Sequence, residues 1–231
     1  VANGYDYRGP VTEIMTAPLL SVRDHAMVFE ALMAMMERDV KHLGVTDNHG
    51  RFVGIVSNRE LISSQGQSPL FLLREISKAE TFSEIADKHK RMPKLVKSLI
   101  NSGVTARNIN RVITAVSDAI LKKVMVFALN EMDSPPKPFA FIIFGSEGRN
   151  EQTLKTDQDN AIVFEDAEDD ELPEISEYFL KLGEKVCNML DEAGYSFCEG
   201  GYMAKNPVWN QPLKVWKDYF SKWIYKAEGE D

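Results

Sequence analysis

The stretch GSEGRNEQTLKTDQD, residues 145–159, places a Gly-Ser pair ten residues ahead of two aspartates that are one residue apart. These are residue types that phosphate chemistry uses. Gly145 lets the backbone turn sharply and lets a ligand come close to the main chain. Ser146 offers a hydroxyl, and the amides after it would open a helix, where unpaired N–H groups suit phosphate. Asp157 and Asp159 alternate with Gln158, so on an extended strand both carboxylates share one face. Their Cα atoms would then lie roughly 6.6 Å apart, within leaning distance of a shared ion. Two such carboxylates beside a phosphate suit Mg²⁺, which takes carboxylate, water and substrate-phosphate oxygens. No match to the lysine-bearing P-loop pattern is present. The competing reading of the same residues is an ordinary polar surface loop.

Positioning those groups requires a strand before them and a strand carrying the acids. FAFIIF (139–144) is an apolar run that reads as the first, and DNAIVF (159–164) as the second, with a short helix predicted from GSEGRNEQTL between them. A helix from ISEYFLKLGEKVCNMLDEAG, a short strand YSFC and a closing aromatic-rich segment complete residues 137–231. The alternation predicts a small mixed sheet with helices, an α+β (α/β-like) domain. Trp209, Trp216 and Trp223 recur every seven residues and predict a seam along one helix.

Upstream, residues 67–136 read as a helical connector. Ile109, Val112, Ile113, Val116, Ile120 and Val124 trace a core stripe on its last helix. Thr81 and Thr105 are expected N-caps and Gly103 a helix stop. Lys122 and Lys123 are expected near a helix end, where cations suit the dipole, and His89, within KHKR, is expected in solvent. DSPPKP (133–138) stops the helix, and the helices before it are free to pack on the domain that follows. Residues 1–66 read as strand, helix, two strands around NHG, and helix, a βαββα unit. Met27, Met33, Met35 and Met36 on its first helix read as core-filling side chains.

The bulk composition narrows the function classes. Lysines and arginines number 27 against 35 acids, a formal charge of −8, which argues against a broad nucleic-acid grip. The apolar runs fall far short of the roughly 18 residues that suggest a membrane span. No cleavable leader is visible, and a start at Val1 reads as a fragment. Cys187 and Cys198 have no metal-like spacing, so reduced thiols in a cytoplasmic protein are expected.

Two resemblances follow from these motifs. EIMT, the hairpin strands and GIVSNRELI resemble one CBS motif over about 50 residues. CBS motifs work in pairs that bind adenosine nucleotides, so the resemblance implies a preceding copy, with VANGYDYRG as its tail. The positions that grip ribose in ligand-binding members are Ser57 and Glu60 here, and glutamate is longer than the usual aspartate. A folding or dimerising role without ligand is the alternative. Further on, F-G-S, ten residues, then D-Q-D resembles the nucleotidyltransferase superfamily. The longer string GSEGRNEQTLKTDQDNA is similar to a nucleotidyltransferase family that follows CBS pairs in bacterial proteins, related to the catalytic domain of PII uridylyltransferases. The helical segment and GYMAKNPVWNQPLKVW are similar to that family too.

By that resemblance Asp157 and Asp159 hold Mg²⁺ on a nucleoside triphosphate, while Gly145 and Ser146 position its phosphates. Arg149 or Lys155 neutralises the leaving pyrophosphate, and Glu151 is a candidate to orient Arg149. The superfamily supplies a third carboxylate from a later strand, and Glu199 after YSFC is the candidate here. Asn206, in NPVW, is a candidate to face the site, and Asn160 reads as a polar neighbour. The function implied is transfer of a nucleoside monophosphate to a hydroxyl acceptor, a protein among the candidates. A CBS sensor of adenosine nucleotides would regulate it, in a cytoplasmic homodimer. The alternative is a catalytically inactive nucleotide-binding or dimerisation module.

Overall fold

A computed structural model describes residues 9–15, 17–63 and 69–225. The VANGYDYR stretch, the junction expected at 66/67 and the tail beyond Tyr225 lie outside the described residues. The chain divides into two compact units, Val1–Leu70 and Phe71–Asp231.

The first unit follows the βαββα order. Strand β1 (Ser21–Arg23) lies parallel to β2 (His42–Thr46), and β2 pairs antiparallel with β3 (Phe52–Ser57). Helix α1 (Val28–Glu37) buries Ala31, Leu32, Met33 and Met35, while Met27 at its N-cap is exposed. The methionines therefore serve the core only in part. Gly50 closes the β2–β3 hairpin at φ +78°, a conformation that glycine adopts without strain. Helix α2 (Asn58–Ser63) starts with a reciprocal cap. The Ser57 N–H and hydroxyl donate to Glu60 Oε2 at 2.8 and 2.6 Å, and the Glu60 N–H returns a bond to Ser57 Oγ at 3.3 Å.

The second unit joins the helices to the sheet. Helices α3 (Pro69–Lys78), α4 (Phe82–His89), α5 (Met92–Asn101) and α6 (Ala106–Asn130) precede it. Between the Thr81 cap and the Gly103 stop the chain makes two helices, α4 and α5, because Pro93 lacks an N–H and suits only a helix's first turn. Thr81 Oγ1 accepts from the Glu84 N–H as a cap, whereas Thr105 stands at the N-cap without a side-chain bond. Gly103 ends the α5 turn at φ +76°. Ile109, Val112, Ile113, Val116, Ile120 and Val124 of α6 are buried, the stripe the spacing predicts, and Ala128 extends it. Lys122 and Lys123 lie inside α6, since the helix runs on to Asn130. Lys123 Nζ instead donates to the Ala79 carbonyl just past α3, at 2.9 Å.

The sheet has the order β4 (Phe139–Ile143), β5 (Asn160–Phe164), β6 (Asn210–Pro212). β4 and β5 are antiparallel and β5 and β6 parallel, the mixed sheet expected of this α+β chain. Between β4 and β5 the chain makes only one helical turn, α7 (Gly145–Gly148), and then an extended loop. Helix α8 (Leu172–Ala193) packs against α4, α6 and β6, and α9 (Leu213–Tyr225) closes the unit. YSFC is not a full strand: Ser196 forms one parallel bridge to Asp157. Trp209 lies before α9 rather than on it, yet its ring meets those of Trp216 and Trp223 at 5.9 and 6.2 Å. The tryptophans thus form a seam that the intervening strand interrupts. Trp216 is buried, and its indole N–H donates to the Ile162 carbonyl on β5 at 3.1 Å.

Among the described residues no helix is long and apolar enough to cross a membrane.

Gly183 on α8 packs directly against backbone. A Cβ there would sit 2.3 Å from the Ala204 carbonyl oxygen, a backbone atom with no rotamer to yield. Gly183→Ala is therefore expected to lower stability by about 1–3 kcal/mol through overpacking, read as a shift in the urea midpoint.

Candidate active site

The acids sit where the sheet's lead-in is fastened on both sides. The Phe144 N–H donates to the Asp159 carbonyl at 2.9 Å from the β4 side. From the other side the Gln158 N–H donates to Ser196 and the Asn160 N–H to Tyr202, each at 2.9 Å. This segment is extended, and the residues between and after the acids point inward. Gln158 is buried, and its Nε2 donates to the carbonyls of Cys187 and Tyr195 at 3.0 and 2.7 Å. Buried Asn160 accepts the Ala204 N–H at 2.8 Å and the Cys187 thiol at 3.5 Å. With Gln158 turned into the protein, alternation sends Asp157 and Asp159 outward together. Asp157 is exposed and Asp159 half-buried.

Gly145 belongs to the same arrangement. Its φ is +59°, and a Cβ there would lie 2.3 Å from Asp159 Oδ2. The absence of a side chain at 145 is thus what leaves room for the second acid. The turn that α7 makes brings Glu147 into the cleft lined by Ser117, Leu121, Glu147, Asp157, Asp159 and Tyr195. Burial, reinforced by the charges of Asp118 and Asp159, pushes the Glu147 carboxyl up to about 7. Sequence reasoning missed this carboxylate. The signal was its position two residues after Gly145, within a single turn that returns toward the strand ends.

The third group beside the acids is a thiol. Ligand atoms of Asp157, Asp159 and Cys198 lie within 4.8 Å of one another. Asp159 and Cys198 each follow by two residues a partner of the Asp157–Ser196 bridge. Glu199, the expected third carboxylate, is exposed in the next turn and stands outside that group. As a donor set, two carboxylates with an adjoining thiol, beside a glycine that cannot crowd them, fit a divalent cation.

The remaining candidates have mixed placements. Arg149 and Glu151 form the expected ion pair, Nε to Oε2 at 2.9 Å, at the surface. Lys155 is exposed in the loop, its carbonyl accepting from the Thr153 hydroxyl at 3.1 Å. Ser146 sits on the α7 turn, where its carbonyl accepts the Glu151 N–H at 2.7 Å. Asn206 is engaged with the backbone: Oδ1 accepts from Val208 at 3.1 Å and Nδ2 donates to Gly201 at 3.0 Å. His89 is not in open solvent. Its ring lies 4.5 Å from that of Tyr195 and bonds the Ala193 carbonyl, and burial holds its pKa below the usual histidine range. The Tyr195 hydroxyl in turn donates to Ser117 on α6 at 2.9 Å. In the first unit, Ser57 and Glu60 bind each other in the α2 cap.

The model of the family described as Putative nucleotidyltransferase DUF294 matches residues 90–230. The CBS domain model matches residues 11–66. No curated protein matches the chain.

Two outcomes follow from the geometry. Gly145→Ala should push the Asp159 carboxylate aside and lower divalent-cation affinity at least about tenfold, measured by calorimetry. Glu147 gives a pH dependence with a definite sign. Between 4.5, its ordinary value, and about 7 the folded chain keeps a proton that the unfolded chain has released. Stability of the metal-free protein should therefore fall as pH rises through that window. Glu147→Gln should flatten this slope and leave the variant more stable than wild type at pH about 8, as read from urea midpoints with a chelator present.

Proposed function

Because the chain belongs to the nucleotidyltransferase family matched over residues 90–230 and carries a CBS domain, we propose that it is an Mg²⁺-dependent transferase of nucleoside monophosphates. The observation that carries this reading is the pair Asp157 and Asp159, turned outward together beside a glycine at φ +59°. Those two carboxylates would hold Mg²⁺. When bound, the ion neutralises charge on the triphosphate and on the departing pyrophosphate.

The chain's own residues supply position. Gly145 and Ser146 form the turn facing the acids, and the missing Cβ lets the phosphates approach the main chain. Arg149, held by Glu151, and Lys155 bring positive charge to the same loop. An acceptor hydroxyl oxygen bonds to the α-phosphorus, the bond to the β-phosphate bridge breaks, and pyrophosphate leaves. The hydroxyl proton passes to solvent. A hydroxyl on a protein is the acceptor class to test first.

The CBS unit is the sensor of the pair, with adenosine nucleotides as its ligand class and Ser57 and Glu60 as the ribose-side residues. Glu60 would have to leave its bonds to Ser57 to reach a ribose. A second reading, a module that binds nucleotide without turnover, is favoured by one observation: the third side chain beside the acids is a thiol and not a carboxylate.

Incubation with labelled triphosphates, Mg²⁺ and candidate acceptors tests the first reading. Label should transfer in the wild type and be lost by at least about two orders of magnitude in Asp157→Asn with Asp159→Asn, as expected when a charge-neutralising site is removed. Transfer that survives the double substitution rejects the assignment. Calorimetric binding of Mg²⁺ with triphosphate, without label transfer to any acceptor, selects the module.

A further inference from the structure

We propose that Cys198 is the third ligand of the Asp157–Asp159 site, and that its thiolate makes the site take zinc-like divalent cations in competition with Mg²⁺. The inference rests on the reading of the two acids as metal ligands.

Three observations carry it. The Cys198 sulfur and the carboxylate oxygens lie within 4.8 Å of one another, a span that one ion can bridge with a small side-chain adjustment. Tetrahedral zinc with one sulfur and one oxygen ligand holds those atoms roughly 3.6 Å apart. The thiol also hydrogen-bonds Asp159, so it already meets the group with which it would share the ion. Finally, the main-chain N–H groups of Gly200 and Tyr202 are directed at the sulfur. Those contacts fix the sulfur beside the two acids. The turn that aims them is fixed by the Gly201 N–H on the Cys198 carbonyl at 3.0 Å and by Gly201 at φ +70°.

Cys187 offers no such site: it is fully buried and its thiol is bonded to Asn160.

Sulfur discriminates among cations. Mg²⁺ is hard and takes oxygen, whereas Zn²⁺, Cd²⁺ and Co²⁺ accept thiolate readily. Two carboxylates and a thiolate leave a fourth position for water or a phosphate oxygen. On binding, the Cys198 proton is released to solvent, with no change in oxidation state.

Titration of the whole chain with Co²⁺ tests this, because thiolate ligation produces a sulfur-to-cobalt charge-transfer band in the near ultraviolet. The band should appear in wild type and in Cys187→Ala, and vanish in Cys198→Ser and in Asp157→Asn with Asp159→Asn. Cys198→Ser should weaken Cd²⁺ at least about tenfold more than it changes Mg²⁺ affinity. A readout that needs no variant is iodoacetamide labelling of wild type, mapped by mass spectrometry, where Cd²⁺ should protect Cys198 and Mg²⁺ should not. No band, or a band that follows Cys187, or no protection by Cd²⁺, overturns the proposal. If that happens while Mg²⁺ with triphosphate still binds through the acids, the transferase reading stands alone. If the band follows Cys198 but no triphosphate binds, the thiolate site stands and the transferase reading falls.

Discussion

The site depends on one buried amide. Gln158 lies between the two acids, and its Nε2 reaches the carbonyls of Cys187 and Tyr195. Leaving a buried carboxamide unpaired is costly, and these two bonds fix it in place. Fixing it settles which way the extended segment faces. A slip of one residue would turn the carboxylates inward, into a low-dielectric interior that disfavours charge. The same amide joins the last turns of α8 to the residue after its cap. The helix end, the acid-bearing segment and the Tyr195–Cys198 stretch therefore hold a single register.

Around that fastening the site collects groups of opposed preference. Asp157 and Asp159 bring two carboxylates together at the cleft, while Glu147 is pushed toward its neutral form by burial and by the charges of Asp118 and Asp159. A cation arriving at the acids removes part of the repulsion acting on Glu147, so metal binding and ionisation of Glu147 are linked.

Much of this was legible in the sequence, for reasons that can be named. The turn at Gly145 and the shared face of the two aspartates were readable because both are local: a sharp turn and a period-two alternation do not depend on distant contacts. The apolar runs of β4 and β5 and the stripe on α6 were readable for the same reason. Cys198 and Glu147 were not, because their roles depend on where a loop and a single helical turn bring them. Glu199 was the candidate as the acid that follows YSFC, yet it stands exposed ahead of the Gly200–Gly201 turn. His89 sat among charged neighbours and looked solvated; only the packing of α4 against the end of α8 brings its ring onto Tyr195. In the CBS unit the type and spacing of Ser57 and Glu60 were visible, but not that the longer glutamate closes back on the serine.

Tyr195 has a consequence for where this domain begins. Its ring carries His89 from α4 and its hydroxyl reaches Ser117 on α6, while its carbonyl holds the amide between the acids. The helices before the proline-rich stop are therefore the rear wall of the sheet domain and not a tether leading to it. A chain cut at that stop would leave the buried faces of α8 and Tyr195 against water, and the acids would lose their backing although every residue of the metal motif remained. The unit on which selection can act is the helices and the sheet together.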